Sequence, residues 1–190
     1  MDRRQRIANA GIALIARGGT HRLTHRAVDT EAGLPNGSTS YYARSRRDLI
    51  RLVMEQLSAE SQADLTDIEV PGKLTVRQAT DLVGRLAERL ILNGDAQAAR
   101  FALMFEVRDD DELRRELTVD APVRRSFDEK AVELLRALGV ADPEEKAPEF
   151  VALVDAVLMY RAVDAAPIDP AGVVETYLDG LVRRKPTAAR

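Results

Sequence analysis

Cysteine and tryptophan are both absent from the 190-residue chain. Without cysteine there is no disulfide scaffold and no thiolate metal site, and the chain suits a reducing compartment. Aromatic residues make up only 4%, so the core has to be built from Leu, Val, Ala and Ile. The two histidines, His21 and His25, have no further ligating residue at a workable spacing, and no metal site is expected. The chain has no Gly-x-Gly-x-x-Gly, no phosphate loop and no Gly-x-Ser-x-Gly elbow. No catalytic residue and no resident cofactor are therefore expected, and the chain does not read as an enzyme. No apolar run approaches the roughly 18 to 20 residues of a membrane span. The basic start, Met1 to Arg6, is not followed by an uninterrupted apolar segment. No signal peptide and no membrane partner are expected, and the location expected is the cytoplasm.

What the chain does have is an ordinary globular composition, 45% hydrophobic and 31% charged, with length enough for one or two domains. Its net charge of −3 hides an asymmetry. Residues 1–51 carry ten arginines against four acids, a balance of +6, and the rest of the chain carries −9. A basic end on an acidic body is what a nucleic-acid-binding domain joined to a different kind of domain would give.

Helical periodicity runs through nearly the whole chain and strand-like alternation does not persist, which predicts an all-α fold of about nine helices. The first is predicted over 3–16, with Ile7, Gly11, Leu14 and Ile15 on one face, ended by Gly18-Gly19. Thr24 caps the second, Gly33 closes it, and a third follows over 36–42. Ser45 opens a fourth that reaches about Asp67, before the break at Val70-Pro71-Gly72. Thr75 and Gln78 form a capping box for a fifth helix, and a sixth covers 95–107. A seventh, reaching Leu138, should be kinked or split by Pro122. Asp142-Pro143 and Asp169-Pro170 each read as a cap followed by proline at the first helical position. The run Asp109-Asp110-Asp111-Glu112 reads as a solvated helix start rather than a cation site.

The stretch 23–49 carries the chemistry. A short helix ends at a glycine, a tight turn follows, and a second short helix holds hydroxyls and two tyrosines before a basic cluster. That order predicts a helix-turn-helix whose last helix enters the major groove of double-stranded DNA. Asn36, Ser38, Thr39 and Ser40 can reach base edges or phosphates, and Gly37 allows close approach. Tyr41 and Tyr42 offer hydroxyls to phosphates, and Thr24, His25, Arg26, Arg44 and Arg46 stand at the flanks as further candidate backbone contacts.

These residues resemble the DNA-binding domain of the TetR family of bacterial transcriptional regulators. Thr24, Ala27-Val28, Ala32-Gly33-Leu34-Pro35, Gly37-Ser38, Tyr42, Ser45, Arg46 and Leu49 fall on the family pattern. Ser40 and Ala43 stand where aromatics are usual, and Arg46 stands where lysine is usual, a replacement that would keep a phosphate contact. The resemblance implies a helix-turn-helix domain at 1–50 and a helical ligand-binding and dimerisation domain at 51–185. A disordered tail is expected at 186–190. The resemblance further implies a repressor that binds a pseudo-palindromic operator as a homodimer and is released by a small-molecule effector. The alternative is a TetR-like interaction module, or a DNA-binding protein without an effector. Dimerisation is expected through the last two helices, whose apolar residues include Phe150, Val154, Val157, Val173, Val174, Tyr177, Leu178 and Leu181. The candidate effector pocket draws on Leu86, Leu90, Arg100, Phe101, Met104, Phe105, Phe127, Leu158 and Met159.

Overall fold

The computed structural model describes residues 2–183, so the expected tail at 186–190 lies outside the described residues. Ten α-helices follow one another: α1 (Arg3–Gly18), α2 (His25–Glu31), α3 (Ser38–Tyr42), α4 (Arg46–Thr66), α5 (Val76–Leu92), α6 (Gly94–Glu106), α7 (Asp111–Leu117), α8 (Pro122–Ala137), α9 (Pro143–Ala162) and α10 (Pro170–Arg183). A 3-10 turn at Thr20–Arg22 joins α1 to α2, and no strand occurs among the described residues. The helices form two compact units. One takes in the chain up to Gln62 together with Asn93–Val123; the other takes in Ala63–Leu92 together with the chain from Arg124 on. The expected boundary at residue 50 therefore falls inside α4, and α6 and α7 belong to the same unit as the N-terminal helices.

In the first unit, Ile7, Ile15, Leu23, Val28, Leu49, Val53, Leu103 and Val107 are buried in one cluster that joins α1, α2, α4 and α6. α1 starts at a capping box that the sequence reading overlooks: the Asp2 carboxylate accepts the Gln5 amide at 2.8 Å, and the Asp2 amide donates back to Gln5 Oε1 at 3.1 Å. Ser45 and Asp48 open α4 in the same reciprocal way. Gly11 lies where α1 crosses α4 and has no room for a side chain. A Cβ there would sit 2.5 Å from Val53 Cγ2 and 3.2 Å from Leu23 Cδ1.

The second unit packs α5, α8, α9 and α10 around Val83, Leu134, Leu135, Phe150, Val151 and Leu178. The predicted Thr75–Gln78 box is present, with Gln78 N donating to Thr75 Oγ1 at 3.3 Å and Thr75 N to Gln78 Oε1 at 2.9 Å. The seventh helix is split as expected, into α7, which ends at Leu117, and α8, which Pro122 starts at its first position. One expectation changes. Asp142 does not cap α9 with its side chain, since its backbone is left-handed at φ +52° and turns the carboxylate away from the helix amides.

Gly11→Ala should gain about 1 kcal/mol in helix propensity but lose about 1–3 kcal/mol to overpacking against the stiff Val53. The net expectation is a destabilised protein in urea unfolding, with Val53→Ala costing less in the Gly11→Ala protein than in the wild type, because it relieves the clash.

Candidate nucleic-acid interface

Asp29 fixes the geometry of the helix-turn-helix. Its backbone carbonyl accepts the Leu34 amide at 2.8 Å while Gly33, at φ +63°, donates to Thr30 O at 3.1 Å, so α2 ends in a Schellman motif. Its carboxylate reaches across the turn to the start of α3. Gly37 N donates to Oδ2 at 2.7 Å, and Thr39 N and Thr39 Oγ1 donate to Oδ1 at 2.7 and 2.6 Å. Gly37 sits at φ +90°, a conformation that a side chain would strain. Asp29 is 1% exposed and Thr39 is fully buried. Burial alone pushes the Asp29 carboxyl up. The Thr39 hydroxyl, the Thr39 and Gly37 amides and the nearby His25 outweigh it, so the group is held below the ordinary aspartate range. The His25 ring ties the far end of α3 to α2 by donating from Nε2 to the Ala43 carbonyl at 2.8 Å.

These bonds sort the expected site residues. Thr39 is withdrawn from the DNA-facing set, because its side chain is buried and its hydroxyl is held by Asp29. Thr24 and Ser38 spend their hydroxyls locally, Thr24 accepting from Ala27 N at 3.2 Å and Ser38 donating to Pro35 O at 2.7 Å. Asn36, Gly37, Ser40, Tyr41 and Tyr42 are exposed, Tyr41 the most at 83%, and the two tyrosine rings meet edge to face with centroids 5.1 Å apart. Arg26 and Arg44 are exposed at the flanks of this face and, among the described residues, have no carboxylate partner.

Arg46 is engaged within the protein. It donates from Nη1 to Leu23 O at 2.7 Å, and from Nη2 to Thr20 O at 3.0 Å and Glu106 Oε1 at 2.7 Å. The Thr20 hydroxyl completes the junction on the other Glu106 oxygen at 2.7 Å. Arg46 and then Thr20 hold the Glu106 carboxyl below its usual range. The next residue, Arg47, pairs with Asp110 and Glu112, and Arg51, one turn beyond it, pairs with Glu112 and Glu116. The Glu116 carboxyl is held low by Arg51. Sequence reasoning missed these pairings. Their trace is a matched spacing, Arg47 and Arg51 on α4 against Glu112 and Glu116 on α7, each four residues apart. The acidic run at 109–112 is thus a set of arginine partners: Asp110 also caps α7 through Leu113 N at 3.1 Å, and Asp111 holds Arg114 at 2.7 Å. Among the described residues no group of three or more His, Cys, Asp or Glu could hold a metal ion. No helix there is long and apolar enough to cross a membrane.

The second unit holds an apolar cavity of about 70 Å3, open to solvent on one side, between the end of α4 and helices α5, α8 and α9. Leu86, Phe127 and Leu158 of the expected pocket line it, beside Leu82, Leu134 and Val154, with Lys130 and Asp155 as its charged points. Leu90 is buried, and Met159 is half-buried, but neither lines it. Arg100, Phe101, Met104 and Phe105 belong to α6 in the first unit, where Arg100 lies over the Phe101 ring at 4.3 Å and Phe105 is exposed.

Removing the Asp29 carboxylate would leave three donors facing a void. Asp29→Ala should cost about 2–4 kcal/mol in chemical denaturation. Because the folded carboxyl lies below its unfolded value, ionisation stabilises the fold in full above about pH 4, where the unfolded group titrates, and the contribution fades as pH falls through the folded value. The stability gap between wild type and Asp29→Asn should therefore shrink on acidification. A gap that widened below pH 4 would contradict this.

The family described as tetracyclin repressor-like, C-terminal domain, matches residues 74–184. No protein of curated function matches the chain. Among solved structures, a transcriptional regulator from Rhodococcus sp. Rha1 superposes with a TM-score of 0.78 at 14% identity, covering 96% of this chain and 97% of that one. A TetR-family member from Streptomyces coelicolor A3 gives 0.67 at 25% identity, covering 95% and 98%. The multidrug binding protein EbrR in complex with proflavin gives 0.59 at 26%, covering 95% and 99%. With a family match over more than half its length and an all-helical fold shared along nearly the whole chain, this protein belongs to the TetR family of transcriptional regulators.

Proposed function

We propose that the protein is a repressor that binds a pseudo-palindromic DNA operator as a homodimer, in the cytoplasm, and is released by a small-molecule effector. The observation that carries the DNA-reading part is the preformed α3 face. Ser40, Tyr41 and Tyr42 are exposed on a helix of five residues that would be unstable alone and is held by Asp29, with Asn36 exposed in the turn before it. A short polar helix fixed in place with its side chains exposed suits insertion into a major groove. Arg26 and Arg44 supply the flanking positive charge for phosphates. No catalytic role is proposed.

Support for an effector is the cavity of the second unit, walled by aliphatic side chains and two phenylalanines, Phe127 and Phe150. EbrR, a relative at 26% identity, binds proflavin. Support for a dimer is two-fold logic, because one short helix per protomer reads too little sequence on its own. The surface proposed for it on α9 and α10 differs from the expected one. Phe150, Val157, Val174, Leu178 and Leu181 are already buried in the protomer's own core, whereas Val154, Val173 and Tyr177 remain partly open. Tyr160, Val163 and Val182 are exposed and take their place.

An electrophoretic shift on the gene's own upstream region tests the reading. A protein that neutralises about 6–10 phosphates should lose on the order of 10³–10⁵ in affinity between about 50 and 200 mM salt. Ser40→Ala should alter which sequences bind, not how strongly all of them do. Absence of a sequence-selective shift on any genomic fragment would refute the repressor reading.

A further inference from the structure

We infer that Arg46 is a positioning residue for DNA binding and not a phosphate contact: with Glu106 and Thr20 it pins the entrance of the helix-turn-helix to α6, which makes the end of α6 part of the DNA-reading head. The inference rests on the DNA reading above and assigns roles within it.

Three of the five guanidinium N–H donors of Arg46 are engaged. One arm holds Leu23 O, the residue that leads into the Thr24 cap of α2, and the other holds Thr20 O and Glu106 Oε1. The carboxylate is itself satisfied on its second oxygen by the Thr20 hydroxyl. To turn this fork to a phosphate, the arginine would give up two carbonyls and a carboxylate for a single new ionic contact. Its neighbours on α4 are engaged likewise, Arg47 by Asp110 and Glu112 and Arg51 by Glu112 and Glu116. Among the described residues, the arginines of 1–51 that no carboxylate pairs are Arg3, Arg6, Arg22, Arg26 and Arg44, and Arg6 donates to the Ala32 carbonyl instead. What Arg46 does hold is the chain segment 20–23, whose position sets where α2 begins and, through Asp29, where α3 points. Lysine could supply the charge but not the planar fork that spans three acceptors.

The two roles differ in measurable ways. A phosphate contact contributes about 0.9 to the slope of log affinity against log salt, and lysine replaces it. A positioning residue leaves the slope alone, and lysine does not. Fluorescence anisotropy with labelled duplexes, one from the gene's upstream region and one of mixed sequence, should be run across a salt series. The proteins compared are wild type, Arg46→Lys, Arg46→Ala, Glu106→Ala and Arg44→Ala, each checked for helix content and unfolding midpoint. Arg46→Lys and Arg46→Ala should both weaken binding to the upstream duplex by roughly tenfold or more at unchanged slope. Glu106→Ala should weaken it too, although removing a negative charge from the head would otherwise favour DNA. Arg44→Ala should lower the slope on both duplexes. Wild-type affinity and slope in Arg46→Lys, or tighter binding in Glu106→Ala, would overturn the inference while leaving the DNA reading in place. Wild-type protein that binds neither duplex would overturn the DNA reading and this assignment together.

Discussion

A single buried carboxylate organises the helix-turn-helix. Asp29 would be costly to bury alone, and it is tolerated because three donors converge on it. Those donors are the reason α3 exists as a helix. Five residues of Ser, Thr and Tyr have too little propensity and too few internal hydrogen bonds to hold a helix in water. Satisfying the amides of Gly37 and Thr39 from a neighbouring helix gives the segment both its start and its direction. The same residue's carbonyl ends α2, so one side chain and one backbone group of Asp29 set the angle between the two helices.

Around that centre the basic end is less basic than its sequence suggests. Arg4, Arg17, Arg46, Arg47 and Arg51 are all paired with carboxylates, three of them with residues from α6 and α7 or the loop between. Half of the ten arginines in residues 1–51 therefore serve the unit's own architecture. These pairs are partly exposed, so each adds little stability alone. Their value lies in orientation, as Arg46 shows by joining two carbonyls and a carboxylate from separate segments.

The elements of the fold were legible in the sequence wherever local chemistry sets them. Thr24, Ser45 and Thr75 cap the helices that they were expected to cap, because a hydroxyl next to an amphipathic start competes with nothing else nearby. Asp142 failed the same test because its backbone turned left-handed, a choice that depends on tertiary context. The exposed face of α3 was legible at Ser40, Tyr41 and Tyr42. Thr39 was not, since a threonine between two serines gives no hint that it faces inward to an acid ten residues earlier. Long-range pairings were the least legible. Arg46 and Glu106 are 60 residues apart, and nothing local to either names the other. The apolar arcs of α9 and α10 were visible as arcs, but their filling within one protomer depends on α5 and α8 packing over them.

Hydrogen–deuterium exchange of the full protein, with and without a DNA duplex from the gene's upstream region, asks whether the face of α3 held by Asp29 meets DNA. DNA should slow exchange most strongly in peptides covering residues 36–44, with α8 and α9 little changed. Protection concentrated on α5 to α10, or bound DNA that leaves residues 36–44 exchanging as before, would contradict it.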